Sequence, residues 1–238
     1  MGAGLVMFAV PQEATPFVRR SAAAGHAVQR EGRCVATVSR QWSVGGHRVL
    51  VSGMGAARAV GAARAAMELE EPDWVLTCGF AGGLAPGLRL GDVLHDVDPW
   101  FPVGFREDEA GARPGRFHCS DRVAVTRGEK ERLRNETGAD AVEMESGAIR
   151  DLCRARGVPS ATVRVVSDEA GEDLPLDFNA LMTEAHELHP GRMAWALARE
   201  PWKVVELIRF QRRVARASSS LAGFLVRWVG RLDGSGLP

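Results

Sequence analysis

The stretch WVLTCGFAGG, residues 74–83, decides the fold. Its first half, Trp74–Cys78, is a short apolar run of the kind that predicts a buried strand. Its second half, Gly79–Gly83, is rich in glycine and predicts a turn in which backbone N–H groups can approach a ligand closely. The stretch therefore predicts a strand that delivers its carboxyl end to a binding site.

The same order, a short apolar run followed by a helical stretch, recurs along the chain. The other predicted strands are Leu5–Val10, Val49–Ser52, Asp92–Asp96 and Ala161–Val166, and the predicted helices cover residues 12–24, 56–70, 126–136 and 146–156. Residues 99–115 are rich in Pro, Gly and charge and are predicted to be a loop. Because mostly apolar strands alternate with helices, we expect an α/β layered domain around a parallel or mixed sheet.

The composition is that of an ordinary globular chain. Its 238 residues are 45% hydrophobic and 25% charged, enough for a core without disulfides or metals. The 30 basic and 30 acidic side chains cancel, which argues against a nucleic-acid partner. Four dispersed cysteines and six histidines show no metal-ligand spacing, so neither a metal site nor a cofactor is predicted. With reduced thiols and no signal-peptide pattern in residues 2–10, we expect a cytoplasmic protein.

Charge divides the chain into two parts, and the organisation we predict follows it: a body of residues 1–185 and basic helices over residues 186–238. The second part holds nine Lys or Arg against four Asp or Glu. One apolar stripe at helical spacing comprises Leu221, Phe224, Leu225, Trp228, Val229 and Leu232. Two interpretations stay open: these helices pack on the body or in a dimer interface, or residues 201–232 contact an anionic membrane peripherally.

Four carboxylates follow predicted strands or short apolar runs. Glu13 follows the first strand, Glu143 and Glu145 follow Ala141-Val142, and Asp168 follows the strand that ends at Val166. Ligand sites of α/β sheets gather at the carboxyl ends of the strands, where a partly desolvated carboxylate can act as a general acid or base. Each carboxylate taken alone could instead cap a helix. Together with the glycine-rich segments 53–55 and 79–83, they predict a site.

The motifs SGMG (52–55), TCGFAGGLAPGLRLGDV (77–93), AVEMES (141–146) and VRVVSDEAGED (163–173), after Glu13, resemble the nucleoside phosphorylase and nucleosidase superfamily. The resemblance spans residues 4–185 and is strongest to the nucleosidases of methylthioadenosine and adenosylhomocysteine. It is also similar, in SDRV, EMES and the segment around DLP, to the hopanoid-associated nucleosidases, which remove adenine from adenosylhopane. It implies a three-layer α/β/α sandwich with a twisted mixed sheet, a purine nucleoside substrate and a homodimer or larger assembly.

The resemblance implies catalytic roles for three residues. Asp168 corresponds to the aspartate that protonates the leaving purine, and Glu13 to the glutamate that activates water. Arg164 corresponds to an arginine that supports these carboxylates. Breaking an N-glycosidic bond needs such an acid, because the departing base must be neutralised while the sugar becomes oxocarbenium-like.

The remaining site residues follow in the same way. Glu145 corresponds to the glutamate that binds the ribose hydroxyls, Met144 to the methionine that packs on the sugar, and Ser167 to the residue that orients Asp168. The other implied substrate-binding residues are Gly79, Phe80, Ala81 and Val123. Phe80 stands where relatives often carry Ser, and no aromatic residue lies near Val123, where the family has a base-stacking ring.

Hydrolysis is favoured over phosphorolysis on electrostatic grounds. Phosphorylase relatives hold phosphate with an arginine in the first loop, whereas this loop reads Pro11-Gln12-Glu13. A carboxylate repels an anion and polarises water. Two alternatives stay open: a phosphorylase, and a member that binds an adenine nucleoside without cleaving it.

Overall fold

The computed structural model describes residues 2–32, 38–102, 112–184 and 186–232. Cys34 and most of the predicted loop 99–115 lie outside these ranges, as does the side chain of Leu232. The strands are β1 (Gly4–Phe8), β2 (Val28–Arg30), β3 (Arg40–Val44), β4 (His47–Val51), β5 (Trp74–Gly83), β6 (Val93–Val97), β7 (Ala112–Pro114), β8 (Phe117–Cys119), β9 (Ala141–Glu143) and β10 (Ser160–Asp168). The helices are α1 (Pro11–Ala23), α2 (Ala56–Leu69), α3 (Arg127–Thr137), α4 (Ser146–Arg156), α5 (Phe178–Leu181), α6 (Pro190–Arg199) and α7 (Lys203–Leu232).

The central sheet is mixed, which confirms the predicted fold class. Its strand order is β2-β3-β4-β1-β5-β10-β6-β7, and β9 branches from β5 to carry β8. The central strands β4, β1, β5 and β10 are mutually parallel, whereas β6 runs antiparallel to β10. The parallel strands have apolar side chains on both faces, because helices cover both sides of the sheet.

Alternate residues of β1 show how the two faces are used. Val6 and Phe8 belong to one core cluster, which includes residues of α1 and α7. Leu5 and Met7 belong to a second cluster on the other face, which includes residues of α2 and α4. The period of two along the strand thus places one helical layer on each side of the sheet.

The prediction of a turn over the glycine-rich segment 79–83 is wrong. It does not turn; β5 continues through it to Gly83. Its residues pair in parallel with β10 as far as Gly82, and Gly82 and Gly83 pair with β9 on the other side. Held by these two partners, the glycines complete the strand and let neighbouring side chains approach the backbone.

The predicted apolar stripe lies in the core from Leu221 to Val229. Leu221, Leu225 and Trp228 are fully buried, and the Trp228 ring lies 6.2 Å from Trp74 and 5.5 Å from Phe101, centroid to centroid. The second half of α7 therefore packs on the sheet, so this part of the stripe is not available to a membrane. No helix of the described residues is long and apolar enough to cross a bilayer.

Helix α7 also packs along α1, which links distant parts of the chain. The hydroxyl of Ser218 donates to the carbonyl oxygen of Gln12 at 2.7 Å, across 206 residues of sequence. This contact holds α7 beside the first turn of α1, where Glu13 lies. One layer of the fold is therefore completed only by a late helix.

Candidate active site

The candidate site lies at the carboxyl ends of three adjacent parallel strands, β1, β5 and β10. Helix α1 begins at Pro11, after β1 ends at Phe8, and this short connection brings Glu13 back to the sheet edge. Asp168 is the last residue of β10. Because parallel strands end at one edge, carboxylates far apart in sequence meet there.

Glu13 is buried and held by three backbone donors. Its Oε2 accepts hydrogen bonds from the N–H groups of Ala9 at 2.9 Å and Val10 at 3.0 Å, and its Oε1 accepts one from Phe80 at 2.8 Å. Burial raises the pKa of Glu13 to about 7, although nearby Arg164 and the backbone donors act in the opposite direction. Such a carboxyl can exchange a proton near neutral pH, which is what a general base requires.

Gly79 makes room for Glu13 and Arg164. A Cβ atom at this position would lie 2.6 Å from Oε1 of Glu13 and 2.5 Å from Nη1 of Arg164. Real Cβ atoms do not approach other atoms that closely, so any side chain here would displace both groups. Gly79 is needed here because the absence of a side chain leaves space for Glu13 and Arg164.

Arg164 is a buried cation between two carboxylates. Its Nη2 lies 2.5 Å from Oε2 of Glu143 and 3.4 Å from Oε2 of Glu145. Burial alone would lower the pKa of Arg164, but Glu143, Glu145 and Glu13 raise it above its ordinary value. The guanidinium group therefore stays charged and offsets the negative charge of the surrounding carboxylates.

Glu143 and Glu145 differ in their surroundings. Burial disfavours the charge of Glu143, but Arg164 and the N–H groups of Ser146 and Glu145 hold the pKa of Glu143 below its ordinary value. Burial raises the pKa of Glu145, against the effect of Arg164. Oε1 of Glu145 accepts from the N–H of Gly55 at 2.9 Å. Both glutamates line the cavity, and Glu143 is the one in closer contact with Arg164.

Asp168 is bound by two side chains. The hydroxyl of Ser167 donates to Oδ1 at 2.6 Å, and Nζ of Lys130 lies 2.5 Å from Oδ2. Lys130 has no exposure, and its Nζ also donates to the carbonyl oxygens of Glu169 and Glu172, each at 2.8 Å. The ammonium group is thus fully used in fixing Asp168 and the backbone that follows it.

Lys130 is the contact that the sequence analysis missed. It is the one buried residue of α3, whose other residues are polar, charged or only partly buried. In sequence it stands between Glu129 and Glu131 and is indistinguishable from a solvent-facing lysine. No motif signals it, because its partner lies 38 positions later along the chain.

Val123 lies on the cavity wall, and both of its backbone polar groups are hydrogen-bonded to another residue. Its N–H donates to Oδ1 of Asn179 and its carbonyl oxygen accepts from Nδ2 of Asn179, both at 2.9 Å. Asn179 lies in α5, whose amino end is capped by Asp177. The segment after Asp173 thus contributes Leu174 to the wall and a short helix that holds Val123.

One cavity of about 880 Å³ contains these groups. Eight of the ten predicted site residues line it: Glu13, Phe80, Ala81, Val123, Met144, Glu145, Ser167 and Asp168. The other two, Gly79 and Arg164, lie behind the lining, where they contact Glu13 and Glu145 respectively. The structure thus brings the predicted residues together, and their individual roles remain predictions.

The rest of the cavity wall is mainly apolar and comes from the helices that follow β10. Its members are Phe178, Met182, Leu188, Met193, Leu207, Phe210 and Val214. The candidate catalytic groups lie at the sheet edge, whereas this second part offers apolar surface and few hydrogen-bond partners. The cavity can therefore take a ligand with a polar head and an apolar extension.

Comparison with known proteins identifies the family. The phosphorylase superfamily profile matches residues 5–95 and 105–199. The 5'-methylthioadenosine/S-adenosylhomocysteine nucleosidase of Geobacillus kaustophilus is 30% identical over 171 residues, which cover 58% of this chain and 73% of that protein. The protein of the same name from Glaesserella parasuis is 28% identical over 173 residues, covering 58% and 75%.

Solved structures agree on the fold. The Helicobacter pylori 5'-methylthioadenosine/S-adenosylhomocysteine nucleosidase, solved with butyl-thio-DADMe-Immucillin-A, superposes with a TM-score of 0.67 at 20% identity, covering 97% of this chain and 99% of that one. The futalosine hydrolase of Helicobacter pylori gives a TM-score of 0.65 at 20% identity, covering 96% and 98%. The likeness extends along nearly the whole chain, including the region of α6 and α7.

Proposed function

The chain belongs to the phosphorylase superfamily, and we propose that it is a nucleosidase, which hydrolyses the N-glycosidic bond of an adenine nucleoside. The observation that carries the proposal is the convergence of Glu13, Glu145 and Asp168 on one cavity. The curated relatives are named as nucleosidases, which supports the same reaction class. No metal or cofactor enters the reaction that we propose.

In the proposed reaction, Asp168 is the acid and Glu13 the base. Asp168 transfers its proton to the purine as the bond between the base and the sugar breaks. Glu13 takes a proton from the water that attacks the sugar carbon, and Oε1, which has a single backbone donor, has a lone pair left for that water. The products are free adenine and a free sugar.

Glu145 and Met144 bind the sugar in this proposal. Glu145 faces the cavity with Oε1 fixed by Gly55, so its carboxylate can accept hydrogen bonds from ribose hydroxyls. The carboxylates also place negative charge beside a sugar that becomes positive in the transition state. Arg164 keeps Glu145 in place without itself lining the cavity.

Water rather than phosphate is the nucleophile that the charges favour. The arginines of the cavity lining are Arg40 and Arg122, and both are exposed. Arg122 is paired with Glu129 at 2.8 Å. Phosphate placed beside Glu13 would meet a carboxylate, and the buried cation nearby, Arg164, is already paired with Glu143 and Glu145. We therefore infer hydrolysis.

The apolar part of the cavity indicates the substrate. We propose an adenosine with a large apolar group at the 5' position, the class to which an adenosylated hopanoid belongs. Phe178, Leu207 and Phe210 would contact that group. Each buried methylene contributes about 0.8 kcal/mol, or roughly a factor of four in kcat/KM. A series of 5'-alkylthioadenosines should therefore gain in kcat/KM as the alkyl chain lengthens from methyl to octyl.

The reaction is tested by identifying the products from a nucleoside panel. The panel includes methylthioadenosine, adenosylhomocysteine, futalosine and an adenosylated hopanoid, each with and without phosphate. Asp168→Asn should lower the rate about 10²–10⁴-fold. The matched control is Asp140→Asn, which changes a carboxylate outside this cavity, bound to Arg134.

Three outcomes would contradict the proposal. Adenine release by Asp168→Asn at the wild-type rate would remove Asp168 from the reaction. A sugar phosphate as product would assign the protein to the phosphorylases. Calorimetric binding of adenosine without turnover of any panel member would assign it to binding proteins.

A further inference from the structure

Helix α6, the turn after it and the first half of α7 expose large apolar side chains. Trp195 is 63% exposed, Trp202 62%, Val205 52% and Ile208 44%. On α6, none of the ten residues is buried. Isolated exposed apolar residues are common, but these four, on two successive helices and the turn between them, form a surface that calls for a partner.

The same side of these helices carries positive charge. Val205, Ile208, Arg209, Arg212 and Arg216 follow the spacing i, i+3, i+4, i+7 and i+11, which places them on one face of α7. Arg209, Arg212 and Arg216 are exposed and make no ion pair within the part of the chain that the structure describes. Residues 190–216 hold seven Lys or Arg and two Asp or Glu.

Helix α6 also places an arginine beside an exposed apolar side chain. The guanidinium group of Arg199 lies 4.6 Å from the ring centre of Trp195, one turn before it on the helix. An indole with a cation beside it suits the boundary between hydrocarbon and headgroups, because the ring has both an apolar surface and a polar N–H. We call the following residues the outer face: Trp195, Arg199, Trp202, Val205, Ile208, Arg209, Arg212 and Arg216.

The opposite side of the same helices lines the cavity. Four side chains on this opposite side line the cavity and are partly buried: Met193, which lies two residues before Trp195, and Leu207, Phe210 and Val214 on α7. Two residues along a helix correspond to a rotation of about 200°. The outer face and the apolar half of the cavity are thus two sides of one thin helical layer, and Leu188 beside it both lines the cavity and is 47% exposed.

We propose that the outer face binds the surface of an anionic phospholipid bilayer, with its tryptophans and aliphatic residues at the headgroup boundary and its arginines on the lipid phosphates. A second copy of the chain fits less well. A two-fold interface would place the arginine-rich patch opposite its own copy, where like charges repel. A bilayer supplies apolar depth and negative charge together.

Cosedimentation with vesicles tests this proposal without using catalysis. Vesicles of phosphatidylcholine alone and of phosphatidylcholine with 30 mol% phosphatidylglycerol are the probes. The full chain should sediment with the anionic vesicles only, and less so as NaCl rises from about 0.1 to 0.5 M, where screening shortens to a few ångströms. Replacing Arg209, Arg212 and Arg216 by Gln should lower the partition coefficient about 100-fold, since each cation contributes roughly a factor of five.

Two further variants test whether the exposed apolar side chains contribute to vesicle binding without affecting the stability of the fold. The double variant Trp202→Ser, Val205→Ser should lose binding, whereas Trp100→Ser, which removes an 84% exposed tryptophan outside these helices, should bind like the wild type. Both should keep the wild-type melting temperature, because the changed side chains are exposed. Tryptophan quenching by brominated lipids should be present in the wild type and lost in the double variant.

The contrary results are distinct. Failure of the wild-type chain to sediment with anionic vesicles would overturn the proposal. So would a concentration-dependent dimer in light scattering that the double variant abolishes, since the face would then be a subunit interface. Because none of these readouts needs a nucleoside, failure of the proposed reaction and failure of membrane binding can be told apart.

Discussion

Nζ of Lys130 lies 2.5 Å from Oδ2 of Asp168, and the lysine side chain has no exposure to solvent. In the reaction that we propose, an ammonium group in this position would stabilise the carboxylate that remains after Asp168 has given its proton to the purine. It also anchors the carbonyl oxygens of Glu169 and Glu172, so that the strand end and the loop after it keep one geometry. Lys130 is thus a positioning residue for the proposed acid.

Lys130→Met should lower both activity and stability. Removing one partner of a buried ion pair leaves the other uncompensated, which costs about 3–5 kcal/mol, or a fall in Tm of roughly 6–20 °C. We expect kcat to fall more than KM rises, because the ammonium group acts on Asp168 rather than on the substrate. Steady-state kinetics and thermal unfolding measure both effects, with Arg132→Met on the exposed side of α3 as the control. Equal losses in the two variants would show that α3 matters only as a helix.

The pKa of Glu13 predicts the pH dependence of the reaction. A general base must be deprotonated, and burial raises the pKa of Glu13 to about 7. The value of kcat/KM should therefore rise about tenfold per pH unit as the pH is raised toward about 7. Initial rates between pH 5 and 9 test this. The residual activity of Glu13→Gln should lack this acid limb, and an unchanged limb would assign the titration to another group.

Gly79→Ala should impair catalysis by displacement. The added Cβ would overlap both Glu13 and Arg164, and an error of about 1 Å in a catalytic group can cost 10²-fold in rate. The matched control is Gly61→Ala in α2, where a Cβ meets no atom within 4 Å and the substitution should stabilise the fold by about 0.4–1 kcal/mol. Adenine release and melting temperature are measured for both. Wild-type activity in Gly79→Ala would show that the site tolerates a shift of Glu13.

Trp228→Ala should destabilise the protein strongly. Trp228 is fully buried against Trp74 and Phe101, and replacing a core tryptophan by alanine costs about 3–5 kcal/mol. Its neighbour Arg227 is exposed, so Arg227→Ala should change the free energy of unfolding by no more than about 0.5 kcal/mol. Urea unfolding compares the two. Equal stability would mean that the second half of α7 is not part of the core.

The sequence predicted the central strands and most of the principal helices because these have strong patterns. The helix predicted over residues 12–24 is Pro11–Ala23, and the strand predicted over residues 92–96 is Val93–Val97. The hairpin of β3 and β4 was missed although Gly45 and Gly46 signal its turn, with φ of 56° and 83°.

Other features could not be predicted from local pattern. The extension of β5 to Gly83 depends on pairing with β9 and β10, which are distant in sequence. The burial of Lys130 depends on Asp168 and two carbonyl groups after β10. The same amphipathic spacing in α7 suits a core or a membrane, and only the tertiary contacts assign residues 221–229 to the core.

The contact between Ser218 and Gln12 has a consequence for synthesis on the ribosome. The cluster around Phe8 and Phe17 is completed by Leu221, Leu225 and Trp228, so this face of the sheet stays uncovered while translation proceeds through more than 200 residues. Closing so long a loop is slow, and uncovered apolar strands are prone to aggregation. We therefore expect the nascent chain to need chaperone protection until residue 229 has left the exit tunnel, and ribosomes stalled within α7 to carry protease-sensitive chains.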